Sequence, residues 1–294
     1  MKTDEASPTA PHTPRRAPAP PAVKLLRLGF GVLGRGLPGP TSRYAYNLWF
    51  STRRFRLTSR EQQVLGTAQR LLIEANGRPV AVYVWGTGPA VFMVHGWHGS
   101  AAHFAEFVEP LVAAGFRAVA FDAPAHGESP GNRTKLPEIV DAMERIARRL
   151  GPFHAVIGHS FGAMCTTYAL AEQRIAAGRV VCISPPAHME GLVVSFGDTL
   201  GLPPPVQTRF RALLERDFGA DMWARFSPEH HAMRLALPAL IIHDVDDRSV
   251  PVAEAEALAR AWRGAELVRT RRLGHRRILA DADVIRRAVQ FIRL

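Results

Sequence analysis

The chain has 294 residues, 47% of them apolar and 21% charged, and carries a net charge of +11; this suits one large globular domain, alone or with an insertion, and excludes a fibrous or wholly disordered chain. No uninterrupted apolar run reaches the roughly 18 residues needed to span a bilayer, and Met1-Lys2-Thr3-Asp4-Glu5 followed by a Pro/Ala tract lacks the layout of a secretory signal, so a cytoplasmic location is expected. The charge belongs to the N-terminus: residues 1–60 hold 11 Lys/Arg against 2 Asp/Glu and residues 61–294 hold 26 against 24, with no recognition helix, zinc-finger spacing or aromatic RNA-binding motif to suggest a nucleic-acid partner.

Residues 1–22 are rich in Pro and Ala and are expected to form a disordered tail. Residues 23–69 make a basic arm. Over 23–57 its apolar side chains are interrupted by Gly29, Gly31, Gly34, Gly36 and Gly39, which predicts short helical pieces. Thr58-Ser59-Arg60-Glu61 then reads as a capping box opening a short helix. From residue 70 the pattern turns regular. Arg70 to Ala75 and Pro79 to Trp85 are strand-like runs about Asn76-Gly77, a type I′ hairpin signal. A buried strand (Ala90 to Val94), a helix (Ser100 to Ala114) and a strand (Phe116 to Asp122) follow. Next come a helix (Pro137 to Leu150), a strand (Phe153 to His159), a helix just after Ser160 and a strand (Arg179 to Ser184). Residues 185–236 break the rhythm with Pro185, Pro186 and Pro203-Pro204-Pro205 before helical stretches around Phe210 to Phe218; they predict a cap insertion. The alternation resumes with a strand (Pro238 to His243), a helix (Pro251 to Trp262), a strand (Ala265 to Thr270) and a helix (Asp281 to Leu294). An antiparallel pair followed by strand–helix units predicts an α/β core over 70–184 and 237–294, with a doubly wound, mostly parallel sheet. Cys165 and Cys182 fall in core elements and are read as reduced.

Three loops at strand ends carry the chemistry. Gly158-His159-Ser160-Phe161-Gly162 follows an apolar strand and opens a helix, which is where a nucleophilic serine on a sharp turn would stand. The helix N-terminus offers backbone N–H groups to a developing oxyanion, and Phe161 is the first candidate donor. His95-Gly96-Trp97-His98-Gly99-Ser100 lies past another buried strand, where the Trp97 N–H is the candidate second donor and its indole a candidate pocket wall. Serine needs a base, and the base an orienting acid. His275, in a loop before the last helix, is the candidate base. Asp244, Asp246 and Asp247 follow a strand and supply the acid. No HExxH or flanked His pair suggests a metal, and neither metal nor cofactor is expected.

Five landmarks in order, namely His95-Gly96-Trp97, Asp122-Ala123-Pro124-Ala125-His126-Gly127-Glu128-Ser129, the turn at Ser160, the loop His243 to Pro251 and His275, make residues 70–294 resemble the α/β-hydrolases of the serine-nucleophile branch. The resemblance implies the triad Ser160, Asp247 and His275, with Asp247 selected by aligning His243 and Val250-Pro251 to the family's loop. Two positions depart from the family pattern: Ala125 and Asp244 stand where glycine is usual. His159 is expected to pack behind the turn and His126 to be structural. The implied activity is hydrolysis of a carboxylic ester or thioester through an acyl-enzyme. Carbon–carbon cleavage, perhydrolysis, acyl transfer and a non-catalytic binding module are the alternatives. Leu192, Phe196, Leu200, Leu202, Phe218, Met222 and Trp223 are candidates for an apolar pocket roof. The apolar and basic residues of 23–57 leave three destinations open: weak attachment to a membrane surface with Trp49 and Phe50 inserted, packing on the hydrolase body, or a homodimer contact.

Overall fold

The computed structural model describes residues 21–294; the expected tail lies outside them, except that Pro21 and Ala22 already belong to the first helix. Helices α1 (Pro21–Gly36), α2 (Pro38–Trp49) and α3 (Ser59–Gly66) precede the sheet. The capping box of α3 is reciprocal: the Glu61 N–H donates to Thr58 Oγ1 at 3.2 Å and the Thr58 N–H to Glu61 Oε2 at 2.7 Å. Strands β1 (Gln69–Ala75) and β2 (Arg78–Trp85) form a hairpin whose Asn76 and Gly77 both have positive φ, as a type I′ turn requires.

The core then alternates: β3 (Ala90–Val94), α4 (Ala105–Ala113, entered through a 3-10 turn at Ala101–Phe104), β4 (Arg117–Phe121), α5 (Leu136–Leu150), β5 (Phe153–His159), α6 (Phe161–Ala171) and β6 (Ala177–Ile183). The chain leaves the sheet for α7 (Met189–Leu200), α8 (Pro204–Phe218), α9 (Met222–Arg225) and α10 (Pro228–Ala232). It returns through β7 (Ala239–Asp244), α11 (Val252–Ala261), β8 (Glu266–Thr270), α12 (Gly274–Arg277) and α13 (Ala282–Arg293). The eight strands lie in the order β1-β2-β4-β3-β5-β6-β7-β8, antiparallel from β1 to β4 and parallel from there to β8. Strand alternation sorts the core into two layers. Phe92, Val156 and Ile241 face the layer closed by α5, α6 and α11, while Met93, Ile157 and Ile242 face the layer closed by α4 and α13. No helix among the described residues is long and apolar enough to cross a membrane.

Two local expectations change, and one destination left open for the arm loses its anchors. The arm is not a set of short pieces: α1 runs unbroken through Gly29, Gly31 and Gly34 to Gly36. Each glycine costs a helix about 1 kcal/mol relative to alanine, so packing holds this one. At Gly34 a Cβ would meet Val206 Cγ2 at 2.9 Å, so glycine is what lets α1 lie on α8. Second, the prolines 203–205 start a helix rather than delay it, because Pro204 and Pro205 occupy the first turn of α8, where no intrahelical N–H is needed. Trp49 and Phe50, for their part, are not available to insert into a membrane. Phe50 is buried, and the Trp49 ring packs edge-on against Phe196 at 5.1 Å and Phe210 at 6.0 Å, centroid to centroid.

Candidate active site

The turn between β5 and α6 places Ser160 at φ 53°, ψ −122°, a conformation unfavourable for any residue with a Cβ. Its neighbours make the turn possible. A Cβ on Gly158 would lie 2.6 Å from Ala163 Cα, and one on Gly162 2.1 Å from the Val94 carbonyl oxygen. Both positions therefore exclude a side chain. The Ser160 N–H donates to the Ile183 carbonyl at 2.9 Å, tying the turn to β6.

The Ser160 hydroxyl donates to His275 Nε2 at 2.9 Å, and His275 Nδ1 donates to Asp247 Oδ2 at 2.7 Å. The other Asp247 oxygen accepts the N–H groups of Ser249 (2.8 Å) and Val250 (3.0 Å). Burial by itself would raise the pKa of Asp247. The hydrogen bond and charge of His275, with those two amides, hold it below the usual carboxylate value. His275 thus lies within hydrogen-bonding reach of both Ser160 and Asp247, the three residues that the resemblance implies.

Asp244 and Asp246 have a different task. Asp244 is fully buried, and its carboxylate accepts the Thr270 hydroxyl at 2.8 Å and the amides of Leu273 (3.1 Å) and Asp246 (3.0 Å). Burial opposes its charge, but the amides of Gly274, Leu273 and Asp246 and the Thr270 hydroxyl outweigh it and lower the pKa. Asp246 Oδ2 accepts the Arg272 N–H at 2.9 Å. Together they clamp the loop that presents His275, which explains a carboxylate where the family pattern has glycine. His159 adds a third tie, donating through Nε2 to the His275 carbonyl at 2.8 Å. Burial, and next the nearby His275, push its pKa far down, so it stays neutral. The choice of Asp247 among the three aspartates came from the family's loop; the bracing roles of Asp244 and Asp246 were not visible in the sequence.

The loop after β3 runs against the turn, since a Cβ on Gly96 would stand 3.0 Å from Ser160 Cβ. The Trp97 N–H has no acceptor among the described residues. Phe161 is the first residue of α6, where intrahelical acceptors are lacking. Three neutral histidines shape the region. His95 Nε2 accepts the Ala123 N–H at 3.0 Å, His126 Nε2 accepts the His98 N–H at 3.1 Å, and His98 Nδ1 accepts the Arg53 N–H at 3.0 Å. Burial is the main cause of their low pKa values: about 4 for His95 and His98, and about 3 for His126. Asp122 holds the neighbouring loop through the Ala101 and Glu128 amides, both at 2.8 Å. Ala125, the other departure from the family pattern, adopts the φ of 67° that its loop requires.

A cavity of about 360 Å³ opens beside Ser160. Trp97 and Phe161 wall its base, their rings in edge contact at 5.1 Å. Of the roof candidates, Leu192, Phe196, Leu200, Phe218 and Met222 line it; Leu202 and Trp223 do not, the latter lying under the Arg211 guanidinium at 4.2 Å. Val23, Leu26, Leu48, Trp49 and Phe50 also line the cavity. The N-terminal helices are therefore part of the pocket, a role that no local pattern in their sequence announced.

Residues 89–227 match the sequence model of the alpha/beta hydrolase fold. No curated protein matches the chain. Among solved structures, an esterase from Exiguobacterium antarcticum superposes with a TM-score of 0.58 at 17% identity, covering 76% of this chain and 99% of that one. The thioesterase domain from the curacin biosynthetic pathway gives 0.58 at 17%, over 78% and 100%. A meta-cleavage product hydrolase from Pseudomonas fluorescens gives 0.58 at 20%, over 75% and 96%. At such identities the likeness speaks for the fold, and it joins the strand order and the match over residues 89–227 in one conclusion: the chain has the α/β-hydrolase fold.

Proposed function

We propose that this chain hydrolyses a carboxylic ester or thioester with an apolar acyl group, through an acyl-enzyme on Ser160. The observation that carries the reading is the continuous hydrogen-bonded relay from Ser160 Oγ through His275 to Asp247 at the floor of an apolar cavity. Ser160 Oγ attacks the acyl carbonyl carbon as His275 Nε2 takes the hydroxyl proton; Asp247 stabilises the imidazolium and fixes its orientation. The Trp97 and Phe161 amides donate to the carbonyl oxygen as it becomes an oxyanion. When the tetrahedral adduct collapses, His275 returns the proton to the leaving alcohol or thiol. Water, deprotonated by the same imidazole, then attacks the acyl-enzyme and releases the acid and Ser160. A cytoplasmic setting belongs to this reading and is supported by Cys165 and Cys182, both free and buried.

The test is labelling with a fluorophosphonate probe followed by a panel of esters and thioesters of increasing acyl length. Wild type should label at Ser160, Ser160→Ala should not, and kcat of the variant should fall by roughly 10⁴-fold or more. Equal labelling of the two proteins, or turnover of no member of the panel by a labelled wild type, refutes the reading.

A further inference from the structure

Helix α1 is apolar on two opposite sides. Val23, Leu26, Phe30 and Gly34 recur every three or four residues and face the cavity and α8. Across the helix Leu25, Leu28 and Val32 recur at the same spacing and are 71%, 65% and 65% exposed. Exposed Leu33, Leu37 and Tyr44 extend this surface around a shallow apolar groove of about 280 Å³ between α1 and α2. Scattered apolar side chains on a surface need no explanation; a contiguous row on one helix face does.

The charge around that face is of one sign. Residues 21–60 contain eight Lys/Arg and no Asp or Glu. Lys24, Arg27 and Arg35 form the stripe beside Leu28 and Val32, and Arg43 lies on α2. Among the described residues none of these four meets a carboxylate; Arg35 reaches only the Gly31 carbonyl. A second copy is a poor occupant, because an isologous contact would set this basic field against itself. An anionic lipid surface complements both features at once.

We propose that the outer face of α1 docks on an anionic bilayer, with Leu25, Leu28 and Val32 below the headgroups and Lys24, Arg27, Arg35 and Arg43 among them. This face excludes Trp49 and Phe50, which are committed to the cavity. Because the other side of the same helix lines that cavity, docking brings the pocket to within about one helix diameter, roughly 10 Å, of the lipid.

The experiment is co-sedimentation of the full chain with phosphatidylcholine vesicles, with and without phosphatidylglycerol, across a salt series. The protein should bind only the phosphatidylglycerol vesicles and leave them as salt rises. The double substitution L28E/V32E should lower the bound fraction by about tenfold or more. K24E/R35E should lower it as well, and both variants should keep the wild-type melting temperature and rate on a short, water-soluble ester. Binding needs no turnover, so this result stands apart from that of the proposed hydrolysis. Three outcomes overturn the proposal: no binding of wild type to phosphatidylglycerol vesicles, undiminished binding of L28E/V32E, or a wild-type dimer that L28E/V32E makes monomeric while vesicles bind neither.

Discussion

Replacing Asp247 and Asp244 separately by asparagine should divide two properties that usually fall together. In Asp247→Asn the retained oxygen should still accept the Ser249 and Val250 amides, which lie at 2.8 and 3.0 Å in the wild type, so the loop should keep its shape. The new NH₂ faces His275 Nδ1, which must become an acceptor. The proton then sits on Nε2, where it points at Ser160 and cannot take the hydroxyl proton. Loss of the productive tautomer costs about 10⁴ in kcat, or roughly 5.4 kcal/mol. In Asp244→Asn the amide nitrogen faces a backbone donor in either orientation, the Leu273 amide beside the Thr270 hydroxyl on one side or the Asp246 amide on the other. At least one buried donor is orphaned and a charge-assisted bond is lost, about 2–4 kcal/mol in all, a large share of a total near 5–15 kcal/mol. The assays are a thermal melt and steady-state turnover of an ester on both variants. Asp244→Asn should lose on the order of 5–10 °C in Tm and keep most of its kcat, while Asp247→Asn should melt closer to wild type and be nearly inactive. If Asp244→Asn is the inactive, well-folded variant, the division of the three aspartates into one acid and two braces is wrong.

Other perturbations address the roof and its ties. Gly31 faces open space, so Gly31→Ala should stabilise by about 0.5–1 kcal/mol, whereas Gly34→Ala should destabilise by about 1–3 kcal/mol through its clash with Val206; a denaturant melt giving the same sign for both would refute the packing of α1 on α8. Leu48→Trp should cut kcat/KM for long acyl esters while leaving acetate esters nearly untouched, and a uniform loss across the panel would mean that Leu48 does not bound the acyl site. His188 links the cap to the core, with Nε2 at 2.7 Å from Glu229 and Nδ1 at 3.2 Å from Glu254. Partial burial opposes its protonation, but the two carboxylates, Glu254 foremost, raise its pKa above 6.5. That contribution is fully present below about pH 6.5 and is lost as pH rises through the folded value, so wild type should lose more stability between pH 6 and 9 than His188→Asn; parallel melts of the two proteins over that range would contradict it.

The fold was legible because each strand–helix unit carries its own signal. Asn76-Gly77 specifies its hairpin, Gly115 and Gly151 follow helices, and the triad positions sit at strand ends that periodicity marks. What escaped the sequence lies in contacts between distant segments. The glycines of α1 read as breaks because local propensity penalises them, and only the approach of Val206 shows why Gly34 is needed. The destination of Trp49 and Phe50 stayed open between membrane, hydrolase body and dimer because their partners, Phe196, Phe210 and Phe218, lie far along the chain. Asp244 was recognisable as an oddity, but its role as a clamp depends on Thr270 and Leu273 of another strand–loop unit.

The dependence of α1 on α8 has a consequence for biosynthesis. Gly34 and Val206 are separated by about 170 residues, which at roughly 5–20 residues per second puts some 10–30 s between the emergence of the first helix from a ribosome and that of the surface it rests on. During that interval a glycine-rich segment with leucines on both sides has only α2 to pack on, through Phe30 and Tyr44. Its nascent form must be shielded by a chaperone or kept from other chains by its own positive charge. The same lag orders assembly: the sheet as far as β6 can form before the cap exists, and the acyl pocket is closed last by the part of the protein made first.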